Sequence, residues 1–421
     1  MTFSKNKPKV FFKTFGCRTN IFDTQVMVSN LKDFEVTQDE REASIVVINS
    51  CTVTNSADTT ARSYINGLKK LSSNPKIVFT GCGTRTKGEK LFSENKIDAL
   101  FGSSEKENIN DLLKIEDRFF KLGDLKSLDK TIVEEFVGKS RAFIKIQEGC
   151  DFRCSYCIIP YVRGDARSYE ESIILNQVTT LAQNGFSEFV LTGTNIGSYG
   201  KKMHTSLAKL LKKMALIKGV KRIRMGSIEP IQIDDEFKEI INEPFMAKHL
   251  HIALQHTSKE MLKIMNRRNK VLNDLELFTF LSQNGYALGT DFIVGHPGET
   301  DEFWKEAIKN IDDFPLTHIH AFTYSKRDGT PSSAMSQMVK GDIAKDRYIE
   351  LVEIIKKKNY EFRKNSKVKL EVLIEQEKNG KYLGFDQFFN QIEIESKEDL
   401  VGDWIYLDNY KVEFEKNVAR F

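Results

Sequence analysis

The sequence predicts an α/β protein in three parts: an N-terminal parallel α/β domain, a central partial (β/α)6 barrel and a small C-terminal β-barrel. Short Val-, Ile- and Phe-rich runs recur through the first three-quarters of the chain with polar, helix-like stretches between them, as parallel strands with helical crossovers require. After residue 365 the runs become short, alternating and turn-separated, the pattern of a small barrel or sandwich. A length of 421 residues leaves room for two to four domains at ~150 residues each.

The first strands are VFFKTFG (10–16), SIVVINS (44–50), KIVFTG (76–81) and IDALFG (97–102), which place an α/β domain over residues 1–115. The polar segment 116–140 is read as a linker. Six more strand candidates follow: AFIKIQ (142–147), EFVLTG (188–193), RIRMGS (222–227), HLHIAL (249–254), ALGTDFIVG (287–295) and HIHAFTY (318–324). Helical patterns such as SLAKLLKKMALI (206–217) lie between them, so residues 141–365 read as a β/α unit repeated about six times. Periodicity alone leaves a doubly wound sheet open. From Gly341 to Asn365 the apolar positions Ala344, Tyr348, Leu351, Val352, Ile355 and Phe362 keep helical spacing, which predicts an amphipathic helix ending the barrel. KLEVLI, YLGF, NQIEIE, DWIYL and KVEFE supply the strands of residues 366–421.

Composition excludes several classes. The chain is 40% hydrophobic and 29% charged with a net charge of +4, unlike a disordered or histone-like chain. Six cysteines are too few for a secreted disulfide scaffold and point to reduced thiols in a cytoplasmic protein. No apolar run approaches the ~18 residues of a membrane span, and MTFSKNKPKVFFK has no signal-peptide pattern.

The cysteines divide by position. Cys150, Cys154 and Cys157 form GCDFRCSYC; at this cysteine frequency the chance of both offsets is roughly one in five thousand. They follow AFIKIQEG at the predicted C-terminal mouth of the barrel, where barrel active sites lie. Three thiolates are too few for a closed four-cysteine site, and no histidine is close in sequence. A 4Fe-4S cluster on three cysteines would leave one iron open; a zinc site or buried thiols are the alternatives. Cys17, Cys51 and Cys82 are spaced 34 and 31 residues apart, each at or just past a predicted strand end. Parallel strands would bring them to one sheet edge, which suggests a second three-cysteine cluster, although cysteines also serve as small buried hydrophobes.

The CxxxCxxC at the end of the first barrel strand, with Tyr156 before its last cysteine, resembles the radical S-adenosylmethionine (SAM) superfamily. Across nearly the whole chain, TFGCRTNIFDT (14–24), INSCTVTNSADTTAR (48–62), TGC (80–82), IKIQEGCDFRCSYCIIPYVRG (144–164), SIEP (227–230), MLKIMNRR (261–268) and DFIVGHPGET (291–300) are similar to the methylthiotransferases of that superfamily. The C-terminal segment resembles a TRAM domain, and CTVTNSAD after Cys51 resembles the branch acting on threonylcarbamoyladenosine at position 37, beside the tRNA anticodon.

The resemblance implies two 4Fe-4S clusters. Cys150, Cys154 and Cys157 would hold the one that cleaves SAM to a radical; Cys17, Cys51 and Cys82 would hold the one that carries the sulfur, methylated by a second SAM. It implies the tRNA anticodon loop and a low-potential electron donor as partners, with no membrane; the sequence sets no oligomeric state. Gly193, Thr194 and Asn195 stand where the superfamily contacts SAM, or form a plain turn. Glu229 and Asp291 would touch SAM or satisfy backbone donors. GHPGE (295–299) suits close approach to a cofactor or is a turn, and Arg163 and Arg167 would pair with carboxylate or phosphate or be solvated. The chain departs from the family's usual PLQSG at Ala253 to Thr257, and His296 stands where Phe is usual. His249 with His251, and His318 with His320, each share a strand face, more in keeping with interior hydrogen bonding than with a metal pair. Regional charge is +3 over residues 1–140, +5 over 141–365 and −4 over 366–421, which places much of the RNA-backbone contact that the resemblance implies on the barrel, where Lys201, Lys202, Lys212, Lys213, Lys221, Arg222, Arg267 and Arg268 would meet phosphates or form solvated helix faces.

Overall fold

A computed structural model of the chain describes residues 7–136 and 138–420; the first six residues of MTFSKNKPKVFFK lie outside the described residues. The N-terminal sheet has six parallel strands, β1 (Lys9–Thr14), β2 (Glu35–Val36), β3 (Ile45–Ser50), β4 (Lys76–Gly81), β5 (Ala99–Phe101) and β6 (Phe119–Lys121), in the order β2-β1-β3-β4-β5-β6. Strand β3 is buried at every position. Ile45 and Val47 face a core with Val10, Val78 and Phe101, while Val46 and Ile48 face one with Ile65, Leu68, Ile77 and Phe79; the period of two explains an uninterrupted apolar run in a strand covered on both faces. Thr14 pairs with Asn49, and Ser50 with Gly81. The ends of β1, β3 and β4 are therefore level, and each is followed by one of the cysteines.

The central domain adds β7 (Arg141–Lys145), a small antiparallel pair β8 (Gln147–Glu148) and β9 (Arg167–Ser168), then β10 (Glu188–Thr192), β11 (Arg222–Arg224), β12 (His249–His251), β13 (Ala287–Val294) and β14 (Leu316–Thr323). Two parallel sheets, β11-β10-β7 and β12-β13-β14, are joined by the bridges Ile223↔Met246 and Ile228↔Ile252. The result is an open six-stranded barrel in chain order. Its helices form where the apolar stripe demands: in Leu207–Ala215, Leu207, Leu210, Leu211 and Met214 are buried, and Ser206 caps the first turn by accepting from Lys209 N–H at 3.1 Å. The long helix spans Gly341–Asn365 and buries Ala344, Leu351 and Ile355.

The C-terminal strands β15 (Leu370–Lys378), β16 (Lys381–Phe385), β17 (Gln391–Glu395), β18 (Trp404–Leu407), β19 (Lys411–Val412) and β20 (Asn417–Arg420) make a curled sheet, β18-β15-β16-β17-β20-β19. Val372, Ile374, Ile392, Ile394, Ile405 and Leu407 fill it. No helix among the described residues is long and apolar enough to cross a membrane.

Segment 116–140 is packed: β6 is the last strand of the N-terminal sheet, and Val133 and Phe136 enter the barrel core. Asp129 joins a buried ionic network that fastens the N-terminal domain to the barrel. Lys145 Nζ lies 2.5 Å from Asp23, 2.9 Å from Asp129 and 3.5 Å from Glu148, Lys106 lies 2.6 Å from Asp129, and Arg163 lies 2.7 Å from Asp23 and 2.6 Å from Glu148. Tyr169 donates to Asp129 at 2.6 Å. Three cations meet three carboxylates. Burial opposes ionisation of Asp23, Asp129 and Glu148, but the lysines and Arg163 hold them below the usual carboxylate range.

Candidate active site

Cys150, Cys154 and Cys157 lie on the loop after β8. Gly149 precedes them with φ +76°, and a Cβ there would stand 2.0 Å from the Asp165 carbonyl oxygen, so the turn that starts the loop requires glycine. Cys150 N–H donates to Gly164 O at 3.0 Å and Cys157 N–H to Cys154 O at 3.1 Å. Two side chains aim donors at the sulfurs: Asn195 Nδ2 lies 3.5 Å from Cys150 Sγ, and Arg267 Nη1 lies 3.6 Å from Cys154 Sγ. Burial and the neighbouring Cys154 push the Cys157 thiol up to about 12, and burial raises Cys150. Without a cationic ligand these groups stay protonated; iron would displace the protons.

The second triad occupies the strand ends of the N-terminal sheet. Cys17 caps the helix Arg18–Ser29, Cys51 follows β3, and Cys82 opens the turn Cys82–Arg85. Asn20 Nδ2 donates to Phe15 O at 2.8 Å and to Ser50 O at 3.0 Å, and Ser50 Oγ donates to Thr80 O at 2.6 Å, tying the three loops together. Gly16 has φ +96°, and a Cβ on it would be 2.8 Å from Cys51 Sγ. Burial, then Cys82, push the Cys51 thiol up to about 12. Burial also raises Cys82, opposed by Arg163, whose Nε lies 3.1 Å from Cys82 Sγ. Cys17 is exposed.

Between the triads lies a cavity of ≈ 540 Å³. Cys17 and Cys157, one from each triad, line it together with Gly193, Thr194 and Asp291. Ile158, Ile159, Met225, Ile293 and Phe322 give apolar walls. The strand β13 supplies Asp291, whose Oδ1 lies 3.0 Å from His251 Nε2 and 3.6 Å from His320 Nδ1. Burial opposes its ionisation, yet the two histidines hold its carboxyl well below the ordinary range. The ligand atoms of the three lie within 4.8 Å of one another, a spacing that suits either a shared divalent ion or mutual hydrogen bonding.

The other expected site residues fall into clear places. Asn195 is buried beside Cys150 and donates its backbone N–H to Gln147 Oε1 at 2.8 Å; Thr194 Oγ1 donates to Gly149 O at 2.6 Å. Glu229 accepts from Arg267, with Nη1 to Oε1 at 2.8 Å. Arg163 is buried among carboxylates and Cys82, and Arg167 Nη1 donates to the carbonyls of Arg163 and Asp165 at 3.0 and 2.8 Å. Two residues expected on the RNA-facing surface are interior: Arg267 bonds Glu229 beside Cys154, and Arg222 bonds Glu188 beneath the C-terminal domain. The physical reason is that each arginine's carboxylate partner is distant in sequence. Lys201, Lys202, Lys212 and Lys213 remain exposed.

Within the departure at Ala253 to Thr257, Gln255 lines the cavity, whereas His256, like His296, lies off it. His256 Nε2 is 3.3 Å from Glu299, and His296 Nε2 is 2.8 Å from Ser332 Oγ. Glu299 accepts from Gly295 N–H at 3.1 Å and from Arg347 at 2.6 Å, which makes GHPGE a pinned loop. Burial pushes His296 down to about 4. A histidine held neutral in the fold but basic near 6.5 when unfolded makes the unfolded state bind more protons between these values, so stability is full above pH 6.5 and falls on acidification. Between pH 7 and 4.5 this group is expected to cost about 2 to 3 kcal/mol. Urea midpoints of wild type and His296→Phe at both pH values check it; an equal acid loss in the variant would refute the assignment.

An open six-stranded barrel with a three-thiol loop at the mouth of its first strand defines a radical SAM enzyme. Residues 144–311 match the radical SAM superfamily, and residues 9–102 match a family described as uncharacterized protein family UPF0004. A Helicobacter pylori protein that carries a methylthiotransferase name is 51% identical over 98% of this chain and 100% of its own length. The threonylcarbamoyladenosine tRNA methylthiotransferase MtaB of Aquifex aeolicus is 34% identical over 86% of this chain and 91% of its own. Among solved structures, the radical SAM methyltransferase TsrM of Kitasatospora setae superposes with a TM-score of 0.60, covering 78% of this chain and 77% of that one at 15% identity, a likeness of fold. The chain belongs to the radical SAM methylthiotransferase family. That family uses SAM and a 4Fe-4S cluster, and the Cys150, Cys154 and Cys157 loop fits the cluster: three thiols, donors at two sulfurs, and one thiol facing the cavity.

Proposed function

We propose that this enzyme methylthiolates C2 of threonylcarbamoyladenosine at position 37 of tRNA, with SAM as both radical source and methyl donor, and that Cys17, Cys51 and Cys82 hold a second 4Fe-4S cluster. The supporting observation is that Cys17 and Cys157 line one cavity, so a base seated there would meet both triads. An aromatic C–H is neither acidic nor electrophilic enough for acid–base substitution, and the chemistry must come from cofactors. Bound at the two triads, the clusters supply an electron for SAM cleavage and a sulfur for insertion.

The chain's own residues position and protect. Asn195 and Arg267 offer hydrogen bonds to the thiolates of Cys150 and Cys154, which stabilise negative charge there and tune the site's potential. Gly193 and Thr194 bring backbone to the cavity wall, where SAM would lie. Ile158, Ile159, Met225, Ile293 and Phe322 keep water from a reactive radical. The base must be splayed out of the anticodon loop to enter, as single-stranded recognition permits. Exposed Lys201, Lys202, Lys212 and Lys213 are the barrel's candidates for backbone phosphates, and a low-potential donor must deliver the electrons.

Digested tRNA from a deletion strain, analysed by mass spectrometry, tests the substrate. Loss of methylthio-threonylcarbamoyladenosine is expected, with the unmethylthiolated nucleoside in its place. An unchanged level, or loss of methylthiolated isopentenyladenosine instead, would overturn the assignment.

A further inference from the structure

The floor of the cavity holds an arrangement of charge that the chemistry above does not use. Phe389, on the loop between β16 and β17, reaches from the C-terminal domain into the cavity lining with φ +66°. Three guanidinium groups surround its ring, those of Arg18, Arg141 and Arg224, at 5.7, 5.6 and 5.4 Å from the centroid. Two of the three are engaged by carboxylates of the protein. Arg224 Nε donates to Glu188 at 2.6 Å and its Nη2 to Asp386 O, and Arg141 pairs with Glu375. Glu188 is shared with Arg222 as well.

Arg18 is the remainder. It lines the cavity next to Cys17, and among the described residues no carboxylate or carbonyl accepts from its guanidinium. An arginine stays charged at neutral pH, and the nearby carboxylate Glu375 is already paired with Arg141. A half-buried guanidinium that faces a cavity and repels its neighbours is stabilised by an anion brought in with the ligand.

A carboxylate can reach this cavity from two sources, the amino-acid group on the N6 substituent of the target adenosine and the methionyl end of SAM. We infer that Arg18 is the anion-binding, specificity-determining residue of the substrate cavity and takes the carboxylate of the N6-linked threonyl group. This rests on the substrate reading given above. The geometry favours the substrate: Arg18 follows Cys17 of the sulfur-bearing triad and lies over Phe389 at the C-terminal domain, whereas SAM belongs at the open side of the Cys150, Cys154 and Cys157 loop. A planar two-pronged donor matches a carboxylate and has no partner in a neutral isopentenyl group.

Two anticodon stem-loop RNAs test this, one carrying threonylcarbamoyladenosine and one its carboxamide, which has the same size and no charge. Anaerobic, reconstituted wild-type enzyme is expected to prefer the carboxylate RNA by about 10- to 100-fold in kcat/KM, the effect of one charged hydrogen-bonded pair. Arg18→Met is expected to remove the preference and Arg18→Lys to retain part of it, and fluorescence anisotropy of the same two RNAs should show the same ordering in affinity. An Arg18→Met enzyme with the wild-type preference overturns the inference, as does one that loses both RNAs equally. A raised KM for SAM with the RNA preference intact would assign Arg18 to the SAM carboxylate and also overturn it. Wild type that methylthiolates neither RNA removes the substrate reading itself, and the inference with it; wild type active on both without preference removes the inference alone.

Discussion

Cys154→Ala is expected to abolish 5′-deoxyadenosine formation from SAM, while Cys51→Ala is expected to abolish only the methylthiolated product. Cys154 stands in the loop whose three thiols would hold the electron-delivering group, and Arg267 already addresses its sulfur at 3.6 Å. Two thiols cannot keep that group in place, so the variant has no route to reduce SAM. Cys51 belongs to the other triad, which is proposed to carry the sulfur. Anaerobic iron and sulfide analysis provides the count: two clusters predict about eight irons in reconstituted wild type and about four in either variant. Liquid chromatography then separates the roles. If Cys51→Ala also leaves SAM intact, the two triads do not divide the work as proposed, and if wild type binds only about four irons, the second cluster is absent.

The largest effect on stability is expected at Lys145. Its side chain is fully buried, and its ammonium sits among Asp23, Asp129 and Glu148. Lys145→Met would leave three buried carboxylates facing only Lys106 and Arg163. Breaking a buried ion pair by removing one member costs ~3–5 kcal/mol, because the partner's charge remains without compensation. Asp23 comes from the N-terminal domain, Asp129 from the connecting segment and Lys145 from the barrel, so the loss should loosen one domain from the other. Urea unfolding followed by tryptophan fluorescence, with limited proteolysis of the 116–140 segment, measures both. Adding Asp129→Asn to Lys145→Met restores charge balance and should recover part of the loss. A single variant within ~1 kcal/mol of wild type would show that water, not the fold, solvates these carboxylates.

Much of this was legible in the sequence for identifiable reasons. Strand β3 is buried on both faces, so SIVVINS had to be a continuous apolar run. The helix Gly341–Asn365 lies at the positions that its three- and four-residue spacing predicted. The CxxxCxxC is visible because all three cysteines belong to one loop. Less was legible where partners are distant. Arg267 and Arg222 read as surface charges beside other basic residues, because nothing local announces that Glu229 and Glu188 will meet them. The segment 116–140 looked like a linker because its buried contacts, Val133, Phe136 and Asp129, are scattered among polar residues. Arg18 was not legible because it sits inside the cysteine motif beside Cys17, and only the folded chain shows that no acceptor among the described residues meets its guanidinium.

The sequence by itself determined the three-part fold, the division of six cysteines into two sets and the family. The first two depend on periodicity and spacing, which are local properties of the chain, and the family on the resemblance of its motifs. Tertiary structure decided that Cys17 and Cys157 line one cavity, that Phe389 from the far C-terminal domain forms part of its floor, and which of the arginines are already satisfied. Burial and long-range pairing set those outcomes, because the environment of a charge depends on what the fold brings beside it.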